Sequence, residues 1–408
     1  MADSREPLQI LVINYLCVPG RGSERGAGWG MLMALQAFGR CTVVTAPESA
    51  EAIHRWNAEH PDRRVESVTI GEPRLAPLLK RTRVGEFLIY LMWQRRVSRS
   101  FGTADRVDRF DLAWHATLSA FWLPSVATTL GIPSVWGPVG GAVATPRRLW
   151  PLLGWRGVVV EIVDLLSVRL MSLLPRTRHT WRAATVRIAQ NAETVRRLPG
   201  ELRDSTVVLN HALFHDITDE TLPAQRAASD PYVAWVSPMD SRKGPELALR
   251  ALMETSADIE MVMVGDGPEL ARMKELAETV GVSSRITFTG RVPHDTALGI
   301  IRDARVALFT GLREEGGLAL AEAMILGTPI VVLGHGGAAG IASQATDPDR
   351  VTIVAPSTLE ETISAMGAGI ESQFRRSDSK DRVGRSALVD RHAADAVLED
   401  AIVRAVGP

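Results

Sequence analysis

Short apolar runs that suit buried strands recur along this chain and alternate with stretches of helical character. Such alternation is typical of a parallel sheet covered by helices, because each pair of parallel strands needs a long crossover connection. The runs form two series. The first series comprises residues 10–14, 42–45, 112–114, 134–136, 185–189 and 206–209. The second comprises residues 232–236, 260–264, 285–288, 306–309, 330–333 and 351–354. The sequence therefore predicts an α/β chain with two doubly wound domains.

The boundary between the domains is predicted from a polar, non-periodic stretch at residues 211–231, which we interpret as a linker. It separates an N-terminal domain, 1–210, from a C-terminal domain, 232–383, and a helical pattern follows at 384–408. With 408 residues, 46% of them hydrophobic and 23% charged, the chain is long enough to bury two cores.

The two cysteines, Cys17 and Cys41, lack a CxxC spacing and fall in or near predicted strands, so we expect buried free thiols. Charged residues at positions 3, 5 and 6 precede the first apolar run, which does not resemble a signal peptide. These features favour a cytoplasmic protein.

Charge is distributed unevenly between the two halves. Residues 1–210 contain about 27 Lys and Arg against about 18 Asp and Glu, whereas the remainder contains about 19 against about 29. A basic N-terminal half could attract an anionic acceptor or the inner face of a membrane, with weak peripheral attachment. The arginines are scattered and no nucleic-acid motif is present, so a nucleic-acid partner is not expected.

An apolar stretch at residues 147–182 is broken by charged residues and flanked by arginines and tryptophans. It is too interrupted to span a membrane. Two interpretations remain, a helix that lies on a membrane surface and a helix of the core or of an acceptor pocket. We favour the second; residues 78–99 have a similar basic, amphipathic pattern.

The segment 314–329, EEGGLALAEAMILGTP, joins the strand predicted at 306–309 to a helix beginning near Leu318. Gly316 and Gly317 stand at the helix start, where free backbone amides and the helix dipole favour an anionic phosphate. Glu314 could accept hydrogen bonds from sugar hydroxyls, and Glu322 could reach a ribose diol. The alternative is that Glu322 complements the helix dipole and Glu314 is a solvated loop charge.

The segment 235–244, WVSPMDSRKG, follows another predicted strand and places Arg242 and Lys243 beside Gly244 at the start of a helix. Two cations at this position could neutralise a diphosphate and stabilise negative charge that develops on it. The alternative interpretation is a basic, solvated turn.

The pattern of Glu314, Gly317, Leu318, Glu322 and the residues up to Pro329 resembles the E-x7-E signature of family 4 retaining glycosyltransferases, and residues 232–345 are similar to that family almost throughout. The resemblance implies the GT-B fold, in which two Rossmann-like domains face a central cleft. The first domain would bind the acceptor, the second the nucleotide sugar, and the last helix, 384–408, would cross back to the first domain. The chain departs from the family at Ser237 and Pro238, where a Gly-Arg pair is usual.

The resemblance also implies roles for individual residues. It gives catalytic roles to Glu314, Lys243, Arg242 and His115. The donor site would comprise Gly22, Ser23, Arg242, Lys243, Val292, Glu314, Gly316, Gly317, Leu318 and Glu322, with base recognition near Val292 through backbone groups. The acceptor side would comprise Glu24, His115, Gly140 and Gly141. The turn at 264–269, VGDGPE, is expected to be mainly structural.

The expected activity is metal-independent transfer of a hexosyl group from a nucleotide diphosphate sugar to an acceptor hydroxyl with retention of configuration. No cofactor or metal is expected, and UDP is slightly favoured over GDP in the donor. The acceptor could be a small molecule, a glycolipid or a saccharide. Two alternatives stay open: a sugar-nucleotide epimerase or hydrolase on the same fold, and a sugar-nucleotide-binding protein without catalysis.

Overall fold

The computed structural model describes residues 7–80, 82–101, 104–118, 120–214, 230–376 and 387–407. Most of the predicted linker, residues 215–229, lies outside the described residues. The chain divides into two compact units. The first unit comprises Met1–Ala142, Val168–His215 and Arg391–Pro408, and the second comprises Val143–Ser167 and Asp216–Asp390. The segment Val143–Ser167 thus belongs with the second unit, whereas the sequence placed it in the first domain.

The first unit is built on a seven-stranded sheet in which every neighbouring pair of strands is parallel. The strands are β1 (Leu8–Ile13), β2 (Gly39–Thr45), β3 (Glu66–Thr69), β4 (Leu112–His115), β5 (Ser134–Val139), β6 (Val186–Ala189) and β7 (Thr206–Val208). Their order is β3-β2-β1-β4-β5-β6-β7. Strand β3 is absent from the sequence-based prediction because this edge strand, ESVT, is half exposed and carries no apolar run.

Helices connect these strands, and the fully buried side chains of Trp93, Trp114 and Trp136 contribute to the interior of this unit. The helices up to residue 203 are α1 (Ser23–Leu35), α2 (Pro47–Glu59), α3 (Ala76–Leu79), α4 (Arg83–Ser100), α5 (Ala104–Val107), α6 (Gly154–Met171), α7 (Pro175–Ala183), α8 (Ala192–Arg197) and α9 (Gly200–Arg203). Of these, α6 belongs with the second unit as far as Ser167. Both cysteines are free and buried, which confirms that expectation.

The second unit is built on a six-stranded sheet that is parallel throughout. The strands are β8 (Tyr232–Val236), β9 (Glu260–Val264), β10 (Ile286–Gly290), β11 (Val306–Phe309), β12 (Ile330–Leu333) and β13 (Val351–Val354), in the order β10-β9-β8-β11-β12-β13. The remaining helices are α10 (Pro245–Met253), α11 (Leu270–Thr279), α12 (His294–Asp303), α13 (Leu318–Ile325), α14 (Gly336–Ala342), α15 (Leu359–Arg376) and α16 (Arg391–Val406). Helix α16 belongs with the first unit and packs on β5 and β6.

Both sheets follow the strand order of a Rossmann fold, with the chain reversing its direction of travel across the sheet after the third strand. The reversal lies between β1 and β4 in the first sheet and between β8 and β11 in the second. The prediction of two doubly wound α/β domains is confirmed. Ligands of such sheets bind in the crevice at the carboxyl ends of the strands on either side of this switch point.

Helix α6 corrects one expectation. We favoured a core or acceptor-pocket helix for the apolar stretch that contains it, but only Glu161 is buried among its 18 residues. Its exposed apolar side chains lie on the face opposite Glu161, whereas half-buried Val158 and Val168 pack against the edge of the core. Within the described residues, no helix has the length and apolar character needed to cross a bilayer.

Candidate active site

The switch point of the second sheet brings two loops side by side. Residues 237–244 follow β8, residues 310–317 follow β11, and β8 and β11 are hydrogen-bonded neighbours. These loops carry Arg242, Lys243 and Glu314, three side chains that the sequence analysis selected. The fold therefore places them at the edge where a doubly wound sheet binds its ligand.

The contact between these two loops is fixed by Gly244 of the first loop, which packs against Thr310 of the second. Gly244 has a φ of 64°, and a Cβ there would stand 2.3 Å from the carbonyl oxygen of Thr310. The Thr310 hydroxyl donates to the carbonyl oxygens of Lys243 and Gly244 at 3.0 and 2.9 Å and accepts from the Trp235 indole at 2.8 Å. The approach needs a residue without a side chain at 244, and it holds Lys243 against the second loop.

The carboxylate of Glu314 is held at both oxygens. Lys243 Nζ donates to Oε2 at 2.5 Å, and the backbone N–H of Gly317 donates to Oε1 at 3.0 Å. The two side chains are 26% and 19% exposed. Burial alone would raise the pKa of Glu314, but Lys243, the Gly317 N–H and Arg242 outweigh it and hold this pKa below its ordinary value. Glu314 is therefore ionised at neutral pH.

Arg242 has a carboxylate partner of its own. Its guanidinium donates from two nitrogens to the two oxygens of Asp240, at 3.0 and 2.9 Å. The hydrogen bonds that Arg242 donates to Asp240 raise the pKa of Arg242 against the opposing effect of burial. The backbone carbonyl oxygen of Arg242 accepts hydrogen bonds from the N–H groups of Leu312 and Arg313 at 2.8 and 3.2 Å. These bonds add a backbone link between the two loops. Each of the two predicted phosphate-binding cations thus contacts a carboxylate.

Glu322 lies inside helix α13 and is 4% exposed. Its Oε1 is 2.9 Å from Nε2 of His294, the first residue of helix α12, and this bond raises the pKa of His294. Val292, predicted to lie at the base-reading loop, is half-buried two residues before that histidine. The sequence analysis missed His294; the signal available was its position at a helix start directly after the predicted base-reading loop.

The start of helix α13 is formed by the double glycine. Gly317 caps the helix with a φ of 62° in the left-handed region, and half-buried Gly316 precedes it. The amides of Leu318 and Ala319 have no protein acceptor among the residues that the structure describes. Free amides at a helix start, next to a lysine, are suited to a phosphate oxygen.

The backbone of Glu314 is fixed by the next strand–helix turn. Its carbonyl oxygen accepts the N–H of Gly337 at 2.8 Å. A Cβ at Gly336, which has a φ of 61°, would stand 2.4 Å from the same oxygen. This packing gives the glycines at 336 and 337 a structural role.

Arg313, which the sequence analysis did not select, anchors the same loop to helix α6. One guanidinium nitrogen donates to Asp164 Oδ2 at 2.9 Å and lies 3.4 Å from Glu161 Oε2. Glu161 is 1% exposed, and its other oxygen accepts the N–H of Thr145 at 2.8 Å. Nothing in the local sequence pairs residue 313 with residues about 150 positions earlier.

The loop after β8 contains Ser237 and Pro238, where the family usually has Gly-Arg, and it packs against the turn at 264–269. Gly265 and Gly267 have φ values of 141° and 158°, and Cβ atoms there would stand 1.9 Å from the Ser237 carbonyl oxygen and 2.5 Å from that of Met239. The turn at 264–269 therefore packs against the loop after β8, as expected for a structural role. Pro238 itself is exposed.

In the first unit, the predicted residues lie at or after the carboxyl ends of β1, β4 and β5, and the first two of these strands flank the switch point. Gly22 precedes helix α1 with an extended backbone that any residue could adopt, and Glu24 is half-buried in the first turn. Ser23 begins the helix, and its side chain lies outside the described residues. Gly140 is buried, and Gly141 has a φ of 91°.

His115 ends strand β4 and is 1% exposed. Its Nδ1 is 3.0 Å from Ser125 Oγ, and burial lowers its pKa to about 4, so the ring is neutral at physiological pH. A ligand role for His115 and for the other first-unit residues stays a prediction.

Comparison with known proteins agrees with this architecture. The family model for glycosyl transferases group 1 matches residues 219–366. The chain is 27% identical over 264 residues to the 2-deoxystreptamine N-acetyl-D-glucosaminyltransferase of Streptomyces fradiae, a match that covers 56% of this chain and 63% of the relative. It is 33% identical over 110 residues to the 2-deoxystreptamine glucosyltransferase of Streptomyces kanamyceticus, covering 26% and 28% of the two chains. The matches thus span less than two thirds of these relatives.

Solved structures share the fold over nearly the whole chain. HepE from Anabaena, in complex with UDP and glucose, matches with a TM-score of 0.57 at 16% identity and covers 97% of this chain and 99% of its own. Sucrose-phosphate synthase from Thermosynechococcus elongatus matches with a TM-score of 0.59 at 15% identity, covering 97% and 98%. The chain therefore has the GT-B fold, and the residues that match the model for glycosyl transferases group 1 include the loops around Lys243 and Glu314.

Proposed function

We propose that this protein is a retaining glycosyltransferase of family 4 that transfers a hexosyl group from a nucleotide diphosphate sugar to an acceptor hydroxyl. The observation that carries the proposal is the ionised Glu314 held between Lys243 Nζ and the Gly317 N–H at the switch point of the second sheet. The site combines a cation, free helix-start amides and a carboxylate. A diphosphate needs the first two and a sugar hydroxyl needs the third.

In this proposal the diphosphate leaving group lies at the start of helix α13. Lys243 and the amides near Gly317 stabilise the negative charge that develops as the glycosidic bond breaks. Arg242 adds a third donor when it exchanges Asp240 for a phosphate oxygen, and this compensates for proline at position 238. Glu314 orients the sugar, and no side chain is assigned as a nucleophile, so the acceptor attacks from the face that the leaving group occupied.

Recognition of the nucleoside is assigned to Glu322 and the loop at Val292. Glu322 exchanges its bond with His294 for the ribose hydroxyls, and backbone groups near Val292 contact the base. HepE was solved with UDP and glucose, which favours a UDP sugar here. The curated relatives are named for transfer to 2-deoxystreptamine, so an aminocyclitol belongs in the acceptor panel beside glycolipid and saccharide acceptors.

Calorimetric titration with UDP, GDP and ADP, followed by transfer assays, tests the proposal. We expect UDP to bind tightest. Lys243→Ala and Glu314→Ala are each expected to lower turnover about tenfold or more, since each change removes a charged hydrogen bond worth about 1.5–3 kcal/mol. The matched controls Lys274→Ala and Glu278→Ala change exposed side chains of helix α11 and should leave turnover unchanged. Wild-type turnover in both site variants would refute the assignment.

The same assay separates the alternatives. Conversion or hydrolysis of the sugar nucleotide without an acceptor would identify an epimerase or hydrolase. Tight nucleotide binding with no transfer to any acceptor would identify a binding protein. We expect transfer to continue in EDTA, and the anomeric configuration of the product, read by NMR, to match that of the donor.

A further inference from the structure

Helix α6 presents a continuous apolar stripe to solvent. The stripe residues recur at the spacing of one helix face, and most of them are more than half exposed: Trp155 73%, Val159 52%, Ile162 41%, Val163 54%, Leu166 63% and Leu170 65%. At 1.5 Å per residue the stripe is about 22 Å long. Isolated exposed apolar residues are ordinary, but a contiguous stripe of this length marks an interaction surface.

The two acidic residues of the same helix face the protein instead. Glu161 is buried and accepts the Thr145 N–H, and Asp164 binds Arg313. Gly157 on this inner face lies close to Ser241, since a Cβ there would be 3.2 Å from Ser241 Oγ. The usual surface helix buries its apolar stripe and exposes its charges. Helix α6 is oriented the other way, with its inner face fixed by specific contacts.

The charges that border the stripe are positive. Arg156 and Arg169 are exposed, one on each side of it by helical spacing, and the Arg156 guanidinium lies 5.2 Å from the Trp155 ring centre. The acids of the helix, Glu161 and Asp164, both lie on the inner face. An apolar stripe with basic margins complements a surface that is apolar inside and anionic outside.

We propose that helix α6 docks on an anionic phospholipid bilayer, with the stripe entering the boundary between headgroups and acyl chains and the arginines contacting lipid phosphates. A second copy of the chain fits this surface less well, because a two-fold interface through the stripe would bring the same arginines of both copies together. The proposal is independent of the donor site and of the reaction.

Vesicle flotation tests the proposal in the absence of donor and acceptor. The full chain is expected to float with phosphatidylcholine vesicles that contain phosphatidylglycerol, to bind pure phosphatidylcholine vesicles more weakly, and to dissociate as NaCl is raised. The double variant Val163→Glu/Leu166→Glu should bind the anionic vesicles at least about tenfold more weakly, because two charges then enter the apolar boundary.

The control variant is Met253→Glu/Val403→Glu, which adds the same charge at side chains 42% and 46% exposed outside α6 and should bind like the wild type. Thermal melts followed by circular dichroism check that both variants are folded. Absence of vesicle binding by the wild type, unchanged binding by the α6 variant, or equal loss in the control would each overturn the proposal. A dimer that the α6 variant dissociates, without vesicle binding, would identify a second copy as the occupant.

Discussion

At the switch point of the second sheet, three carboxylates are bound to basic side chains: Glu314 to Lys243, Asp240 to Arg242 and Glu322 to His294. In the first pair both residues belong to the proposed donor site, and in the other two pairs only Arg242 and Glu322 do. The pairs keep partly buried charges satisfied without a ligand, which limits the cost of burying them. A diphosphate and a ribose would enter this site by exchanging partners rather than by meeting bare charges.

The pair of His294 and Glu322 predicts a pH-dependent stability. The pKa of His294 is raised above its ordinary value of 6.5, chiefly by the hydrogen bond to Glu322. A raised pKa in the folded state means that the contribution is fully present below the unfolded value and is lost as the pH rises through the folded value. His294→Gln should therefore lower Tm most near about pH 6 and progressively less toward about pH 8.5.

Thermal unfolding of both proteins across this pH range measures the difference in Tm. The variant His392→Gln changes an exposed histidine of helix α16 and serves as a control for general effects of losing one imidazole. A Tm difference for His294→Gln that stays constant with pH, or that grows as the pH rises, would contradict the assigned ion pair.

Site residues could be predicted from the sequence where they lie close together in the chain, but not where only folding brings them into contact. Lys243, Glu314 and Gly317 were predictable because each belongs to a short motif that follows an apolar run. The partners were not. His294 meets Glu322 across 28 residues, and Arg313 meets Asp164 across 149, so only the packing of separate elements brings them together.

At the scale of elements, substitution by alanine is expected to lower stability by different amounts at two glycines that precede helices. Gly244, before α10, has a φ of 64°, and a Cβ there would meet the Thr310 carbonyl oxygen at 2.3 Å. Gly317, before α13, has a φ of 62°, but its nearest neighbour would be the flexible Ile341 Cδ1 at 3.3 Å. The backbone conformation costs about 1–2 kcal/mol in both, and only Gly244→Ala adds a clash with main chain.

We therefore expect Gly244→Ala to lower the free energy of unfolding by more than about 2 kcal/mol and Gly317→Ala by about 1 kcal/mol. Urea unfolding of the two variants, with Gly340→Ala as a control inside helix α14 where a Cβ meets open space, measures both losses. Equal losses in Gly244→Ala and Gly317→Ala would show that the contact with Thr310 is not rigid.

The elements themselves show where sequence patterns suffice. Strands β8, β9, β11, β12 and β13 begin and end at the predicted residues, because each is a short run rich in apolar residues, as is usual for strands of a parallel sheet. Helix α6 was assigned to the core because its composition is apolar. Composition does not show which way a helix faces. The inner face of α6 is fixed by the contact of Glu161 with Thr145, 16 residues earlier, and by that of Asp164 with Arg313, 149 residues later.

At the scale of the whole molecule, chain order and structural grouping differ. The segment Val143–Ser167 lies between two parts of the first unit in sequence and belongs with the second unit in the structure. Its contacts reach the loop that carries Glu314: Val143 N–H donates to Glu315 at 2.8 Å, and Glu161 and Asp164 bind Arg313. The second unit is thus assembled from two stretches of chain, and its proposed catalytic loop depends on both.

This dependence predicts the effect of removing Glu161. Glu161→Ala removes the acceptor of the Thr145 N–H. It also leaves Arg313, whose side chain is 14% exposed, with Asp164 as its remaining carboxylate partner. We expect a loss of about 2 kcal/mol or more in the free energy of unfolding, since a buried donor and a partly buried charge both lose a partner. Asp164→Ala, at a side chain that is 30% exposed, should cost less, about 1 kcal/mol or below.

Hydrogen exchange measured by mass spectrometry locates the effect in the native protein. In Glu161→Ala, faster exchange is expected both in peptides covering residues 143–167 and in peptides covering residues 310–318, because the two stretches are joined through Arg313. Asp164→Ala is the matched control, which should change both regions less. Faster exchange confined to residues 143–167 would show that the loop carrying Glu314 is held by its own unit's strands and glycines alone, and that the segment from the first half of the chain is not needed to position it.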